Sequence, residues 1–200
     1  MAVISAQMVN DFRKRTGLGM MECKALLTEA DGDVKKAETL ARERGLKKAE
    51  ARAGRATKAG RIEIYQHHDG KSVGVVELNC ETDFVARNDE FRELAKELAL
   101  QVVAGLPLYL RREDVPADLV AEQRRIFLAQ VADKPAQVQE KIAEGKLNAW
   151  YGETVLLEQS LARDTSKAIR ELISTVSART GENISVARFA RFLVGETAEA

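Results

Sequence analysis

The sequence predicts an α+β fold: a bundle of short helices first, then a core in which a small antiparallel sheet is packed by helices and a helical hairpin. Three observations carry this. Apolar residues recur at helical spacing through the first 45 residues, with capping residues between the runs. A strand from Val73 to Cys80 follows an Asp69-Gly70 turn and a shorter run holding Ile62 and Ile64. Helical periodicity returns from about Asn88, and the three prolines, Pro107, Pro116 and Pro135, mark element boundaries in the middle of the chain.

Helix one is predicted from Ser5 to Arg15. Ile4, Met8 and Phe12 stand at four-residue spacing, Ser5 is a ready N-cap, and Gly17 suits a left-handed stop. Helix two runs from about Met21 to Ala30. Asp31-Gly32-Asp33 makes a turn, and Asp33 caps helix three, on which Val34, Ala37 and Ala41 share a face and which Gly45 is expected to end. Residues 1–45 are therefore assigned to a small helical module, and residues 46–60 to a basic linker in which Lys47, Lys48, Arg52, Arg55 and Lys58 face one acid, Glu50. Such a run reads either as a solvated helix or as a contact for RNA or an acidic surface.

An α+β core is assigned to residues 61–196 and a short tail to 197–200. The hairpin is expected to close with a three-residue loop, His68-Asp69-Gly70, with Gly70 in a left-handed bulge position. That register pairs Ile62 with Val76 and puts Ile62, Ile64, Val76, Leu78 and Cys80 on one face. After the strand, Phe91, Leu94, Leu98 and Val102 form a helical stripe. Helices from Pro116 to Ala132 and from Pro135 to Trp150 form a helical hairpin spanning about 116–151. Ile169, Leu172, Ile173 and Val176 mark a further helix that stops near Gly181. A strand from Ile184 to Val194 closes the chain, with a slip in its alternation between Val186 and Phe189.

Composition narrows the function. The chain has 200 residues, 31% charged and 45% hydrophobic, and its formal net charge is zero. No overall field draws it to DNA or to a membrane. The N-terminus lacks a basic-then-apolar leader and no apolar run is long enough to span a bilayer. Cys23 and Cys80 are the only cysteines and suggest no disulfide framework, so a reducing, cytoplasmic setting is expected. Gly17 and Gly19 follow a helix and precede no Gly-Lys-Ser/Thr, which argues against a phosphate loop. His67 and His68 are adjacent and point to opposite sides of a strand, so no metal site is expected. No carboxylate pair or activated thiol stands out, and the chain is not expected to be an enzyme or to carry a cofactor. Met20 and Met21 fit either core packing or an adaptable binding surface.

The most informative stretch is Glu81-Thr82-Asp83-Phe84-Val85, where a buried strand runs into a turn. A phenylalanine there either folds into its own core or enters a pocket on another molecule. With its flanks, Glu77-Leu78-Asn79-Cys80-Glu81-Thr82-Asp83-Phe84-Val85-Ala86-Arg87 resembles the central motif of the elongation factor Ts family. Phe12 to Lys24, with Gly32-Asp33 after it, resembles that family's opening three-helix module of the ubiquitin-associated type. Phe189 to Glu196 resembles its closing strand. Longer members carry two core modules, and this chain has sequence for one.

The resemblance implies a guanine-nucleotide exchange factor for the translational GTPase elongation factor Tu, binding its GDP-bound and nucleotide-free forms and doing no covalent chemistry. It implies that Asp83 and Phe84, flanked by Thr82 and Val85, enter near the magnesium end of the nucleotide site. Phe12, Met20 and Met21 would grip the GTPase from the other side, and the hairpin and last strand would hold a second domain of it. It also implies that two chains pair as a homodimer, with Phe189, Phe192 and Val194 as contacts to the dimer mate or to the partner. The alternative is a ribosome- or RNA-associated binding protein that uses the basic linker.

Overall fold

The structure is a computed structural model that describes residues 3–196, so the expected tail at 197–200 lies outside the described residues. The helices are α1 (Ala6–Thr16), α2 (Met20–Glu29), α3 (Val34–Arg52), a single turn α4 (Asp83–Ala86), α5 (Asp89–Gly105), α6 (Ala117–Ala129), α7 (Ala136–Thr154) and α8 (Ile169–Thr180). The strands are β1 (Ala59–Gln66), β2 (Ser72–Cys80), β3 (Ser160–Leu161), β4 (Asp164–Ala168) and β5 (Ser185–Leu193). This is the α+β class that the sequence predicts. The described residues fall into two compact units. One holds the chain up to Gly60 with Asn79–Leu94 and Glu171–Ser185, and the other holds Arg61–Leu78, Ala95–Arg170 and the chain from Val186.

In the first unit, the Ser5 hydroxyl accepts from the Met8 N–H and Gly17 closes α1 at φ 69°. The Asp33 carboxylate accepts from the Lys35 and Lys36 N–H groups, which starts α3. Val9, Phe12, Cys23, Leu26, Leu27, Ala30 and Ala37 form the buried core between the three helices. Gly45 does not end α3, which runs on to Arg52. Leu46 to Arg52 are almost all strong helix formers, and together they outweigh one glycine's cost of about 1 kcal/mol. Gly45 instead allows close approach: a Cβ there would stand 3.3 Å from the Ser174 hydroxyl of α8.

In the second unit the sheet order is β1-β2-β5. The hairpin register differs from the expected pairing of Ile62 with Val76. The His67 N–H donates to the Ser72 carbonyl, which sets odd positions of β1 beside even positions of β2. Val76 and Leu78 are fully buried, while Ile62 and Ile64 are exposed on the opposite face. Gly70 does adopt the left-handed conformation, at φ 69°, but the loop is one residue longer than expected. A one-residue slip moves every side chain to the other face.

Gly74 sits where α5 crosses β2, and a Cβ there would run into the Ala99 carbonyl oxygen and crowd Val102 and Val103. Gly74→Ala is expected to destabilise the protein by about 1–3 kcal/mol, read as a lower urea midpoint at unchanged slope. The helical hairpin forms as predicted. Leu119 and Val120, early in α6, pack against a core of Val115, Tyr151 and Val155, the last two at the end of α7. The small β3–β4 ribbon is antiparallel and has no alternating apolar pattern to mark it in the sequence. Beside it, the buried Gln101 amide donates to Gln159 Oε1 at 2.8 Å and accepts from the Ala162 N–H.

Candidate functional site

The central motif builds a single helical turn at the end of β2. Thr82 is extended, at φ −130° and ψ 155°, and its hydroxyl accepts from the Val85 N–H as the N-cap of α4. One turn of helix separates inward from outward side chains. Cys80 and Ala86 point in and are buried; Phe84 points out and is 89% exposed. The turn therefore rejects the reading in which Phe84 folds into its own core. Leaving such a ring in water forgoes about 1.5–3 kcal/mol of burial free energy. Asp83 stands beside it, also exposed, 4.0 Å from the Arg87 guanidinium. Exposed pairs of this kind contribute about 0–1 kcal/mol, so the acid stays available to another partner. Val85 is half-buried at the flank of the turn.

The turn is held from below by charged and polar groups of the same unit. The Glu182 carboxylate accepts from the Glu81 N–H at 3.0 Å, the Thr82 N–H at 3.0 Å and the Thr82 hydroxyl at 2.6 Å. In return, the Glu81 carboxylate accepts from the Asn183 N–H at 2.6 Å and from Arg55 at 3.3 Å. The Asn183 N–H, followed by Arg55, holds the Glu81 carboxyl below its usual range. The Asn183 side-chain amide donates to the Ala53 and Arg55 carbonyls. The Cys80 thiol donates to the Thr82 carbonyl at 3.2 Å. Burial pushes this thiol up to about 11, with the Glu182 charge adding to the shift. A thiol so placed is neutral and packs the turn from inside.

The other predicted site residues separate cleanly. Met20 and Met21 open α2 and are 51% and 78% exposed, so the core-packing reading fails for both. Gly19 provides no side-chain cap there, which leaves the two methionines at an open helix start. Phe12 is corrected: its ring is 1% exposed, inside the bundle core, and offers no surface to a partner. Arg179 ties the α1–α2 junction to the start of α5, donating to the Thr16 carbonyl at 2.9 Å and meeting Glu90 at 3.3 Å. Its side chain lies over Gly17 and would have to shift to admit a Cβ there.

On the last strand, Arg188 pairs with Glu77 at 2.7 Å and the Val194 N–H donates to the Lys71 carbonyl, so from Arg188 onward the even positions of β5 share the face of odd positions of β2, while Val186 before them is buried. That face is the open one. It carries Ile62, Ile64 and half-buried Val73 and Val75, with Phe192 67% exposed and Val194 also exposed. Phe189 alternates to the other face and is half-buried, so of the aromatic pair only Phe192 is on offer. Among the described residues no group of His, Cys, Asp or Glu could hold a metal ion, and no helix is long and apolar enough to cross a membrane.

The sequence pattern of a family described as "Elongation factor TS" matches residues 35–196. A protein of Fervidobacterium nodosum named "Elongation factor Ts" is 50% identical over 195 residues, covering 96% of this chain and 99% of its own length. A protein of the same name from Thermotoga sp. strain RQ2 is 48% identical over 193 residues, covering 96% of this chain and 97% of its own. Another, from Anaeromyxobacter dehalogenans strain 2CP-1, is 48% identical over 201 residues, covering 100% of this chain and 92% of its own.

Proposed function

We infer the function from one fact: this chain belongs to the elongation factor Ts family, and is therefore a translation elongation factor of protein biosynthesis. We propose that it acts in the cytoplasm as the guanine-nucleotide exchange factor of elongation factor Tu, binding the GDP-bound and nucleotide-free forms. The observation that carries this reading is the bare Phe84 ring on a capped, hydrogen-bonded turn, with Asp83 beside it. A rigid exposed aromatic loses little entropy on docking and gains its full burial, which is how a hot spot is built. Phe84 would wedge between helices of the GTPase, and Asp83 would act near the magnesium end of its nucleotide site. Moving the groups that hold magnesium and phosphate removes the charge neutralisation that keeps GDP bound. Met20 and Met21, adaptable and exposed in the same unit, would supply the second grip.

Linkage sets the terms. A protein that weakens GDP binding by a given factor is itself weakened by GDP by that factor. Each tenfold requires about 1.4 kcal/mol of differential binding energy. The test is stopped-flow release of a fluorescent GDP from the cognate GTPase, which this chain is expected to accelerate. Unchanged release at saturating chain would overturn the proposal.

The rival, RNA binding through the basic linker, is less well supported. Lys48 pairs with Glu22, Arg55 with Glu81, and Arg52 donates to the Ser177 carbonyl. Those cations are engaged within their own fold. RNA affinity falling steeply with salt would favour the rival.

We further propose that two chains pair through the open sheet face. Ile62, Ile64, Val73, Val75 and Phe192 make an apolar surface on a three-stranded sheet, the kind that another sheet covers. Phe192→Asp is expected to convert a dimer to a monomer at micromolar concentration, measured by light scattering after sizing. A parent chain that is monomeric under those conditions would overturn the pairing.

A further inference from the structure

We propose that Glu182 is the positioning residue of the exchange turn, holding Phe84 in its presenting conformation from a point about 100 residues away in sequence; the inference rests on the exchange reading above. Gly181, at φ 78°, ends α8 in a left-handed residue. The chain then reverses, and the Ser177 hydroxyl donates to the Glu182 carbonyl at 2.6 Å, fixing the backbone of Glu182. From there its carboxylate reaches Glu81 and Thr82. It takes both of their backbone N–H groups on one oxygen and the Thr82 hydroxyl on the other.

Those two N–H groups lie between the end of β2 and the start of α4, where neither a ladder nor a helix has a place for them. Charge-assisted hydrogen bonds of this kind are about twice as strong as neutral ones. Thr82 is also the N-cap of α4, so a carboxylate that orients its hydroxyl sets where the next two residues, Asp83 and Phe84, are aimed. The neighbouring Glu81–Asn183 bond runs in the opposite direction between the same two segments. A two-way strap fixes the turn in both position and rotation. The Glu182 carboxylate is engaged by Glu81 and Thr82 of its own chain. It acts through Phe84, by removing the ordering cost that a loose turn would bring to each encounter.

Glu182→Ala is expected to reduce the stimulation of GDP release about tenfold or more while circular dichroism stays that of the parent. Glu182→Gln should stay within about threefold, because its amide oxygen still accepts the two N–H groups and its amide nitrogen donates to the Thr82 hydroxyl. In a Phe84→Ala background, Glu182→Ala should cause no further loss, since a residue acting through another is non-additive with it. Amide hydrogen exchange at Glu81 and Thr82 should rise in Glu182→Ala and not in Glu182→Gln. Should Glu182→Ala unfold, Glu182→Asp takes its place: it keeps the charge one methylene short of the turn and is expected to lose activity like the alanine variant. A folded Glu182→Ala or Glu182→Asp that exchanges like the parent, or full additivity with Phe84→Ala, would overturn the inference. In that case the parent remains active and Phe84→Ala slow. A parent with no effect on release instead removes the exchange reading and this inference with it.

Discussion

Phe84→Ala is expected to slow GDP release from the GTPase by about one to three orders of magnitude at equal protein concentration, because a central hot spot costs about 2–4 kcal/mol on truncation. Its fold should be untouched. The ring is 89% exposed, and substitutions at such positions stay within about 0.5 kcal/mol of stability. The capping hydroxyl of Thr82 and the inward Ala86 and Cys80 do not depend on it. Thermal unfolding and stopped-flow release on one preparation separate the two effects. A variant with a lowered melting temperature whose folded fraction exchanges normally would show that the ring serves its own chain. Asp83→Asn provides the contrast: it retains shape and removes only the charge. A loss there as large as that of Phe84→Ala would move the weight from the wedge to the acid.

How far the sequence foretells this site depends on the range of the interaction. Ser5, Gly17, Asp33 and Gly181 do what their local chemistry predicts, because caps and left-handed stops depend on a few neighbouring residues. The placement of Phe84 at a strand-to-helix turn follows in the same way. What holds that turn does not. Glu182 and Asn183 meet Glu81 and Thr82 only through the fold, and an acid after a helix-ending glycine has no pattern to single it out. The hairpin register failed for a related reason. Asp69-Gly70 tolerates several loop lengths, and Ile62 and Ile64 look like core residues until the exposed face of the sheet is known. Isoleucine on an open sheet is where alternation misleads, since it marks a face without saying which side water occupies.

The same limit separates Phe12 from Met20 and Met21, which the family resemblance grouped as one grip. Phe12→Ala is expected to destabilise the helical bundle by about 3–5 kcal/mol, through lost burial and the cavity left among Val9, Cys23, Leu26 and Leu27. A core of that size supplies only about 3–5 kcal/mol in total, so this one truncation should unfold the bundle, seen as an early loss of helical signal on heating. Met20→Ala and Met21→Ala should leave the melting curve within a degree or two of the parent, since both side chains stand at the open start of α2. Their effect belongs to the bound state: each should weaken association with the nucleotide-free GTPase by about threefold to thirtyfold, which corresponds to about 0.7–2 kcal/mol. Calorimetric titration beside thermal unfolding tests both halves. The grip has been misplaced if Met21→Ala melts early or binds unchanged, and the core has been misread if Phe12→Ala keeps the parent's stability. The division follows from accessibility alone: a side chain hidden from water is equally hidden from a partner, so its removal registers in folding and reaches binding only through the helix it supports.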